Sequence, residues 1–560
     1  MQQEIEVDVA VIGSGAAGFV AALTAKSLGL DVHIFEKAKV FGGTTALSGG
    51  VAWLPGNHLM DHDDDPESVL EYLRHHVGNR SNDAKLETFV DNASRSLEFL
   101  TDHGYLKVGR MMGFPDYRAE TPGGDKAENN GGRSVEPLVF AGAKLGDWYP
   151  GLLHRPRPLP VVGTMSELRQ LAAIRTDLGA FLKGWWAVPR SLWGKLTGAK
   201  HLSSGAALIG WLSFAAKREA IPLHLGSRLR SLEIAERQIR GLVIEDDEGP
   251  TRVHARCGVI LASGGFDHNA TLRETHLPRA GVQNFSSGAR SNTGDSQVAA
   301  GEAGVSLAQM DDAWWAPTCL IPNVGPQIVI FERGKPGQII VDARGRRFAN
   351  EAQPYGDFVR AMFDADQASD CAIPAFMVFD QTFRDRYPIG NLMPGLTPQS
   401  AIDSGFLARA DSLEALSVEL GIDVDGLSNT VERHNAMAEN GRDEDFHRGE
   451  FAFDRFSGDP TVTPNPCLAP IVKAPFYALK IYPGDLGAHG GIDTNEHAQA
   501  LNEVGQPISG LYAVGNCAAS VLGGFYPGAG GTLGPAITFA YVAANHLASA
   551  GAVKSSARTG

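Results

Sequence analysis

Cysteine is scarce in this chain of 560 residues: Cys257, Cys319, Cys371, Cys467 and Cys517 lie far apart, with no C-x-x-C pair. That spacing excludes a disulfide framework and a cysteine-based zinc site, and it suits a reducing cytoplasm. Positive charge is also in short supply. Lys+Arg 49 against Asp+Glu 64 leaves a formal charge of −15, a balance that argues against nucleic acid as a partner. Long hydrophobic runs are missing too. The longest apolar segments, such as Ala206–Ala216, fall short of the roughly 20 residues that span a bilayer. The N-terminus, Met-Gln-Gln-Glu-Ile-Glu-Val-Asp, has no basic stretch followed by an apolar one, so no signal peptide is expected. The 17 histidines show no spacing suited to a metal, and no internal repeat or long low-complexity segment appears.

What the chain has in excess is glycine, 66 residues where the average would be about 7%. The glycines fall in short clusters, as expected where backbone approaches a bulky ligand. A composition of 43% hydrophobic and 20% charged residues is that of a folded protein, and the length suggests two to four domains at roughly 100–200 residues each.

The first sixty residues carry the strongest signal. Val7–Ile12 reads as a buried parallel strand and runs into Gly13-Ser14-Gly15-Ala16-Ala17-Gly18. A helix-like stretch, Phe19–Leu28, and a second strand, Asp31–Phe35, follow and end in Glu36. A G-x-G-x-x-G between strand and helix, with an acid about twenty residues on, is a dinucleotide fold. Its glycines let the helix N-terminus meet a pyrophosphate, and Glu36 can accept ribose hydroxyls. A second glycine- and hydroxyl-rich loop from Lys37 includes Gly43, Thr44, Thr45, Ser48, Gly49 and Gly50. Its backbone N–H groups could line a long flat ligand.

A fingerprint followed by such a loop resembles the FAD-binding half of the fumarate reductase and succinate dehydrogenase flavoproteins. Three segments add to the resemblance: Arg256–Phe266 with Ala262 and Gly264, Asn292–Asp295, and Leu511–Asn516 with Gly515 and Asn516. The resemblance implies FAD as cofactor. It implies an α/β fold with a Rossmann-like FAD-binding domain, at about 1–311 and 486–560, interrupted by an inserted α+β catalytic domain at 312–485.

Three tyrosines stand in turn-rich segments: Tyr117 after Gly113-Phe114-Pro115-Asp116, Tyr355 after Asn350-Glu351-Ala352-Gln353-Pro354, and Tyr526 in Tyr526-Pro527-Gly528-Ala529-Gly530-Gly531-Thr532-Leu533-Gly534-Pro535. A glycine-rich loop opening a helix beside a flavin offers N–H groups and a positive dipole end, and with a tyrosine hydroxyl it has the logic of an oxyanion hole. Gly531 and Leu533 at that helix start are expected at the cofactor.

Together these three segments resemble the 3-ketosteroid Δ1-dehydrogenases. The resemblance implies that Tyr526 and the Gly530 N–H hold the steroid C3 carbonyl and that Tyr355 removes a C2 proton. Tyr117 would favour the ionised form of Tyr355, and a hydride from C1 would pass to flavin N5. A 3-ketosteroid substrate and an external electron acceptor such as a quinone follow from it. Trp53, Phe114, Trp314 and Trp315 are expected to line the apolar part of the site.

Two relatives in the superfamily remain as alternatives. A fumarate- or urocanate-type reductase resembles the chain around Glu332-Arg333-Gly334, where Arg333 would deliver a proton; the plainer reading of Arg333 is a salt bridge near the domain hinge. A Δ4-(5α)-3-ketosteroid dehydrogenase differs in carrying a serine in the C-terminal tyrosine loop. The stretch at about 150–212 reads as an insertion. Within it, Phe181–Leu196 mixes tryptophans with basic residues and no acids, the composition of an interfacial contact with the inner face of a membrane.

Overall fold

The computed structural model describes residues 3–128, 131–154, 161–172, 178–278 and 283–558. Strand Gln3–Ile12 lies at the centre of an eight-stranded sheet, parallel to Gly249–Leu261 on one side and Val32–Glu36 on the other. Leu223–Leu225 extends that side, and Pro507–Ala513, from the far end of the chain, runs parallel to Gly249–Leu261. Val7, Val9, Ala10, Val11 and Ile12 are buried between the two faces' cores, which is why this half of the strand reads as an apolar run rather than an alternation. Helix Ala16–Ser27 is buried from Ala16 to Ala25 and packs against the C-terminal helix Leu533–Arg558, so the two chain ends share one core.

The inserted domain has its own antiparallel sheet. Across it run Gly325–Ile328, Ala313–Ile321, Phe476–Ala488, Ala375–Asp380 and Gln338–Val341, with Ala408–Ala410 paired to Phe476–Ala488. Helix Tyr355–Ser369 lies against strand Ala313–Ile321. Phe476–Ala488 returns the chain to the FAD-binding domain, where Ala488 N–H bonds the buried Asp267 carboxylate at 2.6 Å.

The segment at 150–212 is less of an insertion than its composition suggests. Helix Ser204–Arg218 is a core element, packed on Ala16–Ser27 and on the short helix Gly43–Leu47. The added part ends earlier, with helices Met165–Ala172, Leu178–Gly184 and Ala187–Leu196; parts of it, 155–160 and 173–177, lie outside the described residues. None of the five cysteines forms a disulfide among the described residues.

Candidate functional site

A long cavity runs between the two domains, and its walls come from segments hundreds of residues apart. At one end the fingerprint turn faces it. Gly13 sits at φ +109°, and a Cβ there would lie 2.4 Å from the Ala262 carbonyl oxygen, so only glycine fits the turn. Gly15 is the N-cap of helix Ala16–Ser27 and supplies no capping side chain. The helix start therefore faces the cavity with N–H groups available, apart from Ala16 N–H, which donates to Thr45 Oγ1 at 3.2 Å. The Glu36 carboxylate is oriented by Ser14, which donates from its N–H at 3.0 Å and its hydroxyl at 2.6 Å. The Lys37 ammonium lies 3.0 Å from Asp295, which Arg228 also holds at 3.1 Å, tying the lip of the cavity together.

Along the same cavity lie Ala16, Ala17, Glu36, Lys37, Gly43, Thr44, Thr45, Ser48, Gly49, Gly50, Ala262, Gly264, Asp295, Gly515, Asn516 and Leu533. Two residues expected at the cofactor are elsewhere. Gly18 serves packing: a Cβ on it would sit 2.0 Å from the Gly13 carbonyl oxygen. Gly531 faces a smaller cavity behind the wall. An uncapped helix start, a glycine turn with no room for a side chain and a hydroxyl-rich second loop together fit FAD in its extended form.

At the other end the three tyrosines meet. Ring centroids of Tyr355 and Tyr526 are 5.1 Å apart, those of Tyr117 and Tyr355 5.4 Å, and those of Tyr117 and Tyr526 5.7 Å. All three line the cavity, beside Gly530 and Phe114. Tyr355 is the first residue of helix Tyr355–Ser369, where the positive end of the helix favours negative charge. Gly530 has φ +92°, and a Cβ there would lie 2.4 Å from the Val51 carbonyl oxygen. The Gly530 N–H makes no hydrogen bond within the described residues. Past the tyrosines the wall turns apolar with Met165, Ile328, Ile330, Phe331 and Leu486. No sequence motif marks these five; only the alternation of Ile328 and Ile330 hints at a shared face.

Burial raises the pKa of all three phenols. For Tyr355 the neighbouring Tyr117 and Tyr526 add to that rise and push it well above the usual tyrosine range. Tyr117 is raised by burial and by Tyr526. At Tyr526 burial also dominates, but hydrogen bonding with Tyr355 and Thr532 works against it. So Tyr117 does not by itself favour ionised Tyr355. All three phenols are thus favoured in the neutral form, the state in which Tyr526 can donate a hydrogen bond.

The tryptophans do not line the main cavity, though Trp314 faces a smaller one behind it. Trp53 is fully buried beneath the Tyr526 loop. Its indole N–H donates to Asp116 Oδ1 at 2.8 Å, and its backbone N–H donates to the Gly530 carbonyl at 3.1 Å. Asp116 also takes Arg133 at 2.6 Å, and burial pushes its carboxyl up to about 6 against the pull of Arg133. Tyr72 hydroxyl to Pro527 carbonyl (2.9 Å) and Ser134 hydroxyl to Ala529 carbonyl (2.9 Å) complete the anchoring of the loop. Trp314 packs edge-on to Tyr526 at 5.3 Å, with its indole N–H 3.3 Å from Asn516 Oδ1. Trp315 points the other way, onto Phe363, and donates to Asp312. Replacing Trp53 with phenylalanine leaves a buried carboxylate oxygen short of a donor. We expect that change to lower unfolding stability by about 1–3 kcal/mol in denaturant melts, with the Tyr526 loop loosened.

Arg333 is buried outside the cavity wall. It makes no ion pair among the described residues. Instead it donates to the carbonyls of Val329, Glu351 and Gln353, clamping the turn that delivers Tyr355. Below it, Glu351 and Asp443 hold Arg347 at 2.7 and 2.6 Å. Neither the proton-delivering role nor the hinge salt bridge expected of Arg333 fits this geometry.

The family described as FAD binding domain matches residues 8–533. The 3-oxosteroid 1-dehydrogenase of Mycolicibacterium smegmatis is 40% identical over 98% of this chain and 98% of its own length. The enzyme of that name from Mycobacterium tuberculosis strain H37Rv is 40% identical over 97% of this chain and 98% of its own. Among solved structures, the 3-ketosteroid Δ1-dehydrogenase of Sterolibacterium denitrificans in complex with 1,4-androstadiene-3,17-dione superposes with a TM-score of 0.92. It is 37% identical and is covered over 99% of its chain by 97% of this one. With an FAD cradle at one end of its cavity and three phenols at the other, the chain belongs to the FAD-binding-domain flavoproteins and, among them, to the family of the 3-oxosteroid 1-dehydrogenases.

Proposed function

We propose that the protein introduces the C1–C2 double bond into 3-ketosteroids, as part of steroid degradation. The observation that carries this reading is the meeting of Tyr117, Tyr355 and Tyr526 beside Gly530, at the apolar end of a cavity whose other end is an FAD cradle. FAD, when bound, supplies the acceptor for the hydride that leaves C1.

A C2 hydrogen is only weakly acidic, so the C3 oxygen must be stabilised as charge builds on it. Tyr526 hydroxyl and Gly530 N–H are the two donors placed for that oxygen, and the start of helix Leu533–Arg558 adds its positive end. Tyr355 takes the C2 proton, with the start of its own helix favouring its phenolate. Tyr117, in edge contact with Tyr355, holds that ring in place. Phe114, Met165, Ile328, Ile330 and Phe331 cover the steroid rings and keep water out. An external acceptor, such as a quinone, closes the cycle.

Anaerobic titration tests the reading. Androst-4-ene-3,17-dione should bleach the oxidised flavin band and yield the 1,4-diene. Bleaching only by 5α-androstane-3,17-dione would point to the Δ4-(5α) reaction, and bleaching by neither steroid would contradict both.

The membrane contact belongs to this proposal. Trp186, Trp193 and Leu196 are 72%, 68% and 83% exposed, and Leu178, Leu182, Trp185 and Leu192 are exposed around them. Lys183 and Lys195 stand on the same two helices, while Arg190 is paired with Glu167 at 2.6 Å. No acidic residue occurs from 178 to 218. Aromatic and basic side chains without acids suit an anionic lipid surface, and a peripheral contact at the inner face of a membrane is the occupant we propose. Among the described residues no helix is long and apolar enough to cross a membrane. Flotation with phosphatidylglycerol vesicles should carry the protein, and Trp185→Ser, Trp186→Ser and Trp193→Ser together should abolish that. Equal flotation of both proteins would contradict it.

A further inference from the structure

Behind the wall of the main cavity lies a small one of 40 Å³, room for about three waters. Thr532, Asn516 and Gly515 face both cavities, and Lys85, Thr494 and Ser520 face only the small one. Lys85 is 6% exposed. Its ammonium makes no hydrogen bond or ion pair among the described residues. It stands in the first turn of helix Asp83–Asp102, where the helix end also disfavours positive charge. A lysine so placed is costly, with no ion pair among the described residues to offset its burial. Burial lowers its pKa, opposed only by the fields of Asp493 and Glu496, the charged groups that reach it.

The dehydrogenation poses a problem that this arrangement solves. Each turnover leaves a proton on the buried Tyr355, and that proton has to leave before the next C2–H bond can break. Tyr355 and Tyr526 lie ring to ring at 5.1 Å on the main cavity, Thr532 lines that cavity beside them, and its side chain bears on the pKa of Tyr526. Thr532 opens onto the cavity that Lys85 faces.

We propose that the proton taken from the substrate leaves along Tyr355, Tyr526 and Thr532 into the small cavity, where Lys85 receives it and hands it to solvent. The route rests on the reading of Tyr355 as base. Once the product carbonyl lets go of Tyr526, the Tyr355 O–H proton moves to the Tyr526 oxygen and the Tyr526 proton moves to the Thr532 hydroxyl. The Thr532 proton then passes through cavity water to the Lys85 amine. Tyr355 is left as phenolate, Tyr526 and Thr532 are neutral as before, and the ammonium of Lys85 loses one proton to bulk water. No oxidant or reductant is needed.

Stopped-flow mixing of the holoenzyme with androst-4-ene-3,17-dione, anaerobic and lightly buffered with phenol red, follows flavin bleaching and proton release together. In the native enzyme the two signals should coincide. In Lys85→Met and in Thr532→Val proton release should lag bleaching by about tenfold and steady-state turnover should fall with it; Thr532→Ser, which keeps the hydroxyl, should restore coincidence. FAD content and melting temperature of each variant show that it is folded and loaded. Proton release that keeps pace with bleaching in both variants would overturn the route, as would an equal slowing of the two signals, which is what a loss of packing would give. The reading of Tyr355 fails separately: if Tyr355→Phe bleached at the native rate, base and route would both fall.

Discussion

Tyr355→Phe is expected to keep bound FAD and to bind 3-ketosteroid, yet to lose about 10³-fold in the rate of flavin bleaching, within the range that general-base groups contribute. The ring of Tyr355 packs against Tyr117 and Tyr526 at 5.4 and 5.1 Å, and phenylalanine keeps those contacts. Only the oxygen is lost. A purely structural tyrosine would cost little rate on that change, so the size of the effect separates chemistry from packing. The pH dependence gives a second handle. Because burial raises the pKa of Tyr355, the active phenolate is the minor form at neutral pH and its share grows as pH rises. Bleaching of the native enzyme should therefore speed up about tenfold per pH unit from neutral upward until the cluster titrates. The phenylalanine variant should show a flat profile. A native profile that falls as pH rises would contradict the assignment.

Tyr526→Phe is expected to lose about 10²–10³-fold in bleaching rate, the usual consequence of removing one donor from an oxyanion site, and to bind steroid more weakly as well. The double effect distinguishes it from Tyr355→Phe. In the proposed mechanism Tyr526 touches the substrate oxygen in both the bound and the reacting state, whereas Tyr355 acts only while the C2–H bond breaks. The loop that carries Tyr526 should hold its shape without the hydroxyl, since Pro527, Ala529 and Gly530 are fixed through their carbonyls by Tyr72, Ser134 and Trp53. Binding and rate can be separated by steroid titration of the oxidised enzyme at low temperature, followed by single-turnover mixing. Loss of rate with unchanged affinity would move the carbonyl grip away from Tyr526.

Much of the cofactor end was legible because its chemistry is local. A G-x-G-x-x-G turn, an acid after the next strand and a hydroxyl-rich loop each act over a few residues, and the structure brings nearly all of them to one wall. Gly18 and Gly531 lie away from the main cavity wall for a related reason. Both belong to glycine motifs at the site, but one is spent on helix–strand packing and the other faces backwards, a distinction that exists only in three dimensions. The tryptophans show the limit more sharply. Composition does not tell a cavity wall from a core. The indole N–H of Trp53 is satisfied by Asp116, 63 positions away, and Trp314 and Trp315 lie on a strand buried on both faces. Met165, Ile328, Ile330 and Phe331 went unseen since an apolar lining needs only size and greasiness, which many sequences supply. Arg333 was visible as an unusual residue, but its partners are backbone carbonyls, and those leave no trace in the pattern of side chains.

The most direct test is a crystal structure of the FAD-loaded protein with 1,4-androstadiene-3,17-dione. The C3 oxygen should lie within hydrogen-bond reach of both the Tyr526 hydroxyl and the Gly530 N–H, with C2 facing the Tyr355 oxygen and the D ring toward Phe331. A steroid bound with its C3 oxygen away from Tyr526, or with C2 out of reach of Tyr355, would contradict the mechanism.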